Sequence, residues 1–461
     1  MSATPDLNPE LMVIGDSLAQ GCRTLSVSEE LCSQSYACVI ARSQGWEFRY
    51  PRFPRPVLFD LEQEVRNLSL LGVVGGLQRL RRNLEDWQRD LAGDGPGGLP
   101  PAFDNLAIAG VSIDEMNRFT AGEQRALLQD QLFPQMIGKP IRAQYQHLGK
   151  AHLAINTAFV LNPSGTPDWE GLTQLEWVAR RRPRRLIAHF GHNDGLYPVG
   201  AEADPTELDA RYDATLKAYK TTLECLADLP PEVALIVVVL YPKVGAVANL
   251  DPHGPQDHHG YAETYRTRFP LPGNEIAGRE LRRIDGRIED FNRAVRRHID
   301  GLRTKRRFRL VDAYRIFEGY DYKNTLDTRR QISIGRARID NRYLEGRTRR
   351  RPGRPGEHRP PRYEFEHGGL QSLDGMHLSA VGYALLACEI MGALGLVFDR
   401  KAILTQALRD EDLISRYNGN IHSLGYLLDN IEHLRPTDQD DDELTLSTML
   451  GVQESPFLRG G

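Results

Sequence analysis

One serine in this chain stands where it could do chemistry: Ser17, in the stretch LMVIGDSLAQG from Leu11 to Gly21. Four apolar residues, Leu11 to Ile14, run straight into Gly15-Asp16-Ser17, the way a buried strand reaches a turn. The residues after Ser17 can open a helix, whose N-terminus favours developing negative charge. A serine hydroxyl stays a weak nucleophile until a base takes its proton and donors await the oxyanion. A second group, His253, His258 and His259 in DPHGPQDHHG, lies close to two aspartates and could ligate a metal. No paired ligand motif accompanies it, so the segment reads as a solvated loop near a cleft mouth.

The elements that would position Ser17 follow along the chain. Strands are expected at 11–17, at Phe103 to Gly110, in RRLIAHFGHND (Arg184 to Asp194), at Ala234 to Pro242 and at Phe308 to Ala313. The run ALIVVVLYP is unbroken and β-branched, as in a strand buried on both faces. Helical patterns cover Ser28 to Ala41, residues 60–92, 122–160, 206–228 and 275–303, and one helix from about Ser379. Two more are expected over 400–435, then an acidic tail over 436–443. The proline- and aromatic-rich stretch from Trp46 to Phe59 should be extended. Strands alternating with helices imply parallel βαβ units and a sheet covered on both faces. Ligands then bind beyond the C-terminal strand ends, so Ser17, Gly110 and Asn193 would share one edge.

Composition narrows the function. With 40% hydrophobic residues and 26% charged, the 461-residue chain can bury a large core. A net charge of −4 gives no general bias toward nucleic acid, and no apolar stretch approaches the ~20 residues that span a bilayer. The opening MSATPDLNPE has neither the basic start nor the apolar core of a signal peptide. Five scattered cysteines, without a Cys-x-x-Cys pair, fit a reducing compartment. A cytoplasmic location is expected, with signal-independent export left open. The segment Asn341 to Arg362 carries eight arginines against two glutamates, with many prolines and glycines. It reads as an insertion without regular structure: a solvated linker, or a basic flap that favours anionic lipid.

Four blocks now stand in order: Gly15-Asp16-Ser17 with Gly21, Asn105 through Gly110, Gly191-His192-Asn193-Asp194, and Asp374-Gly375-Met376-His377. Together they resemble the four blocks of the GDSL or SGNH hydrolase family, over roughly residues 11–398. The resemblance implies a three-layer α/β/α sandwich of flavodoxin-like type. It also implies a catalytic unit over 1–400, with a helical insertion at about 52–100 and the arginine-rich one at about 341–362, and an extension over 401–461. The block GWEFRYPRFPRP is similar to a segment of some lipase-like bacterial members.

By that resemblance Ser17 is the nucleophile, His377 the general base and Asp374 its orienter. Gly110 and the Ser17 amide would donate to the oxyanion, with the Asn193 side chain as third donor. Asp16 and Asp194 are expected to hold loops. His192 receives no role, and His189 is expected to be packed. The implied activity is hydrolysis of carboxylic esters, lipids included, with no metal and no cofactor. Two alternatives stay open: an acyltransferase on the same site, and a non-catalytic protein binding through the arginine-rich segment.

Overall fold

The computed structural model describes residues 7–58, 60–61, 70–94, 99–139, 144, 146–269, 273–324, 331–343, 345–349 and 362–416. At its centre lie four parallel strands, β1 (Met12–Gly15), β2 (Arg185–His189), β3 (Leu235–Val239) and β4 (Phe308–Val311), side by side in that order. Side chains alternate across the sheet as the pleat requires. Met12, Ile14, Leu186, Ala188, Ile236 and Val238 face one core, with Ile155, Trp177, Tyr219 and Phe291 from four covering helices. Leu11, Val13, Ile187, Val237 and Val239 face the other, against Tyr36, Ile40, Tyr383 and Ile390. The chain is a three-layer α/β sandwich, as expected.

The second expected strand takes a looser form. Residues 103–110 run alongside β1, joined by Val13 N–H to Asp104 O (2.9 Å), Leu106 N–H to Val13 O (2.9 Å) and Ile108 N–H to Gly15 O (3.0 Å). Only Asn105 forms a bridge, to Val13, so this is an extended edge segment and not a full strand. Counted in its place, it gives the order 2-1-3-4-5. The strand order then reverses beside β1, and ligands bind at that crevice.

Elsewhere the structure corrects several expectations. The helix over 28–41 is two, Glu29–Cys32 and Tyr36–Gln44, each capped by a serine (Ser28, Ser35) whose side chain accepts a backbone N–H. The pattern over 122–160 breaks into short helices ending at Met136 and one longer helix, Leu148–Leu161. Only part of DPHGPQDHHG is a loop: His258 and His259 lie in the turn before the strand Ala262–Thr267, while Leu250–Gln256, with His253, is a strand antiparallel to it. Pro252 and Pro255 are tolerated because this is the edge of its sheet. The arginine-rich insertion also contains regular structure. Glu345–Arg349 pairs antiparallel with Arg362–His367, since ladder bonds use the backbone and the prolines fall between these strands. Residues 350–361 lie outside the described residues, as do the acidic tail and the second C-terminal helix; the first is Arg400–Arg416.

Candidate active site

Gly15 fixes the turn at the end of β1. Its φ is +141°, and a Cβ there would lie 1.8 Å from the His189 carbonyl oxygen, so only glycine fits. Its N–H donates to Gln174 Oε1 at 2.8 Å, and Gln174 Nε2 donates back to its carbonyl at 3.2 Å. Ser17 then opens the short helix Ser17–Gln20 and is 7% exposed. From the end of that helix, Gln20 exchanges two amide bonds with Asn156, at 2.7 and 2.9 Å. Gln20 Oε1 also accepts the Ala109 N–H at 2.8 Å. The element carrying Ser17 therefore braces the turn at Gly110, where φ is +95°.

Asp374 and His377 lie in the loop before the helix Ala380–Ala393. Asp374 Oδ2 accepts from His377 Nδ1 at 2.6 Å and from the Leu25 N–H at 3.1 Å. Its Oδ1 accepts the backbone N–H groups of Met376 and His377, both at 2.9 Å, and the Ser372 hydroxyl at 3.1 Å. Burial pushes this carboxyl up, but the His377 charge and these bonds hold it below the usual carboxylate value. Burial pushes the His377 imidazolium down. Nearby Cys22 and the Asp374 carboxylate more than reverse this and hold the ring well above 6.5.

Residues 191–194 supply the third wall. Asn193 Nδ2 gives one hydrogen to Val111 O at 2.9 Å and keeps a second to donate. The Asp194 carboxylate accepts the Ile113 N–H at 2.9 Å, and burial raises its pKa to about 7. Asp16 takes both the backbone N–H and Nδ1 of His192, at 2.9 and 2.8 Å. Both aspartates thus tie loops together. His189 is buried against Tyr36 and His192.

One cleft brings together Ser17, His192, Asn193 and His377, with Leu18, Leu196, Tyr197, Val244, Val247 and Met376 as apolar walls. Gly110 is not among the lining residues; its neighbour Val111 accepts the Asn193 bond. A family model described as GDSL-like Lipase/Acylhydrolase matches residues 11–390. The chain belongs to that family. No curated protein and no solved structure matches it.

Membership in the GDSL-like lipase/acylhydrolases makes the chain, in general terms, an ester hydrolase. Three residues in or beside the GDSL blocks escaped the sequence reading. Cys22 acts on the charge of His377, yet reads only as one of five scattered cysteines. The hint was Gly21, which ends the helix in the left-handed region and turns the chain back on itself. Gln20 carries no motif, because its partners Asn156 and Ala109 are distant in sequence. His192, given no role, is bound to Asp16 and lines the cleft. Among the described helices, none is long and apolar enough to cross a membrane.

Proposed function

We propose that the chain hydrolyses carboxylic esters through a Ser17 acyl-enzyme. The observation that carries this reading is the Asp374–His377 pair, hydrogen-bonded at 2.6 Å, lining the same cleft as Ser17. Asp374 engages Nδ1, which leaves Nε2 of His377 to take the Ser17 proton as Oγ attacks the acyl carbon. Charge then collects on the carbonyl oxygen, within reach of the Ser17 and Gly110 amides and the second hydrogen of Asn193 Nδ2. The intermediate collapses as His377 returns the proton to the leaving alcohol. Water, deprotonated by the same ring, then releases the acid and frees Ser17.

The walls of the cleft support an acyl substituent of moderate length. Leu196, Val244, Val247 and Met376 offer apolar contact beside Ser17, and no Asp, Glu, Lys or Arg is among the lining residues. Gly200 deepens this wall: a Cβ there would meet Met376 Sδ at 3.5 Å. Assay against p-nitrophenyl esters of rising acyl length tests the reading. The wild type should turn over the shorter members, and Ser17→Ala should lose all of this activity with an unchanged melting temperature. Turnover surviving in purified Ser17→Ala protein would overturn the mechanism.

A further inference from the structure

The turn after Cys22 has an unusual backbone. Thr24 and Leu25 both occupy the left-handed region, with φ of +50° and +53°. Neither is a residue type that visits it readily, and such conformations persist only where the surroundings impose them. The turn binds the catalytic loop directly. Leu25 N–H donates to Asp374 Oδ2 at 3.1 Å, the oxygen that also accepts from His377 Nδ1. Thr24 N–H donates to Ser372 Oγ at 3.2 Å, and the Leu373 N–H donates to Thr24 Oγ1 at 3.2 Å.

Paired backbone bonds between Arg23 and Ser26, at 3.1 and 2.8 Å, close this turn, and Arg23 anchors it to the far end of the chain. The Arg23 guanidinium meets the Glu411 carboxylate as a fork, Nη1 to Oε1 at 2.8 Å and Nη2 to Oε2 at 3.2 Å. Both side chains are wholly buried. Glu411 Oε1 also accepts the N–H of Ala380, which opens the helix behind His377. Glu411 belongs to the helix Arg400–Arg416, beyond residues 11–390 that match the family. A buried pair of this kind tolerates little displacement, because moving one partner strands the other's charge. The planar fork fixes direction as well as distance.

We propose that Arg23 and Glu411 are positioning residues for Asp374: their ion pair anchors the left-handed Thr24–Leu25 turn, already closed by the Arg23–Ser26 backbone bonds, and so holds the Leu25 N–H on the carboxylate that orients His377. This rests on the reading of Ser17, His377 and Asp374 given above. The C-terminal helix is then a working part of the site, added outside the family's own blocks.

The test uses the full chain with Arg23→Met and Glu411→Leu together, an apolar pair that avoids a stranded charge. The double variant should melt cooperatively, keep KM, and lose roughly ten- to a hundredfold in kcat, as expected for a small misplacement of the base. Adding Leu25→Gly should recover most of that loss, since glycine adopts this φ without an ion pair to anchor it. General loosening would not be relieved by a glycine. A second signal is independent of turnover: the far-downfield proton resonance of His377 Nδ1–H. It should shift or broaden in the double variant and return in the triple variant. Arg23→Lys, which keeps a charge but loses the fork, is read by the same two signals if the apolar pair does not fold. Full kcat with an unchanged resonance in a folded variant would overturn the proposal, and so would a loss that Leu25→Gly leaves untouched. Failure of the hydrolase reading looks different: a fluorophosphonate would not label Ser17 in the wild type, whatever the resonance does.

Discussion

Cys22 and Asp374 together set how His377 titrates. The carboxylate is buried and bonded on both oxygens, and with Cys22 it keeps the His377 proton above the ordinary range near 6.5. A general base works only after losing that proton. Activity should therefore rise with pH, and the acid limb of kcat/KM should lie above 6.5; a limb below 6 would contradict the assignment. Asp374→Asn removes the carboxylate charge and the correct tautomer. It should lower kcat by about 10⁴ and move the limb downward, as read from the full pH profile. Asp194 works in the other direction, on stability. Its pKa is raised from 3.8 to about 7 by burial. The folded state thus holds a proton that the unfolded state releases, and stability is lost as pH rises from 3.8 through about 7. Asp194→Asn can keep the bond from Ile113, so it should raise the melting temperature more at pH 8 than at pH 5. Calorimetry at the two values checks this.

Between elements, the amide of Gln20 joins the Ser17 helix to the Gly110 turn and to the helix Leu148–Leu161. Gln20→Leu leaves the Ala109 N–H and the Asn156 side chain without these partners inside the core. That should cost about 1–3 kcal/mol in chemical denaturation and lower kcat more than it changes KM. Equal kcat would mean that the Gly110 turn holds its place alone. The same scale shows what sequence can reveal. The core strands were legible because apolar and β-branched runs such as Leu235–Val239 have one reading when buried on both faces. The strand Leu250–Gln256 was hidden by its prolines, which mark loops unless an edge position forgives them. Glu345–Arg349 was hidden by composition, since its backbone pairing leaves no mark in a charged sequence.

Across the whole molecule, Ser17, Asn193, Asp374 and His377 were legible because each lies in a short local block at a strand end or before a sheet-packing helix. The buried Arg23–Glu411 pair was not, for 388 positions separate its partners and neither stands in a motif. The helix Arg400–Arg416 also covers apolar core, with Leu404 and Ala407 packed against Val381, Leu385 and Ile339. A chain ended at residue 398 should lose several kcal/mol of stability, from this exposed surface and the stranded Arg23 charge, and most of its activity. Thermal melts of the two lengths check this. The central claim is that Ser17 is the nucleophile activated by His377. Its most direct test is fluorophosphonate labelling, followed by mass spectrometry of the modified peptide. The adduct should sit on Ser17 alone, vanish in Ser17→Ala and form far more slowly in His377→Ala. An adduct on another residue, or undiminished labelling in Ser17→Ala, would contradict it.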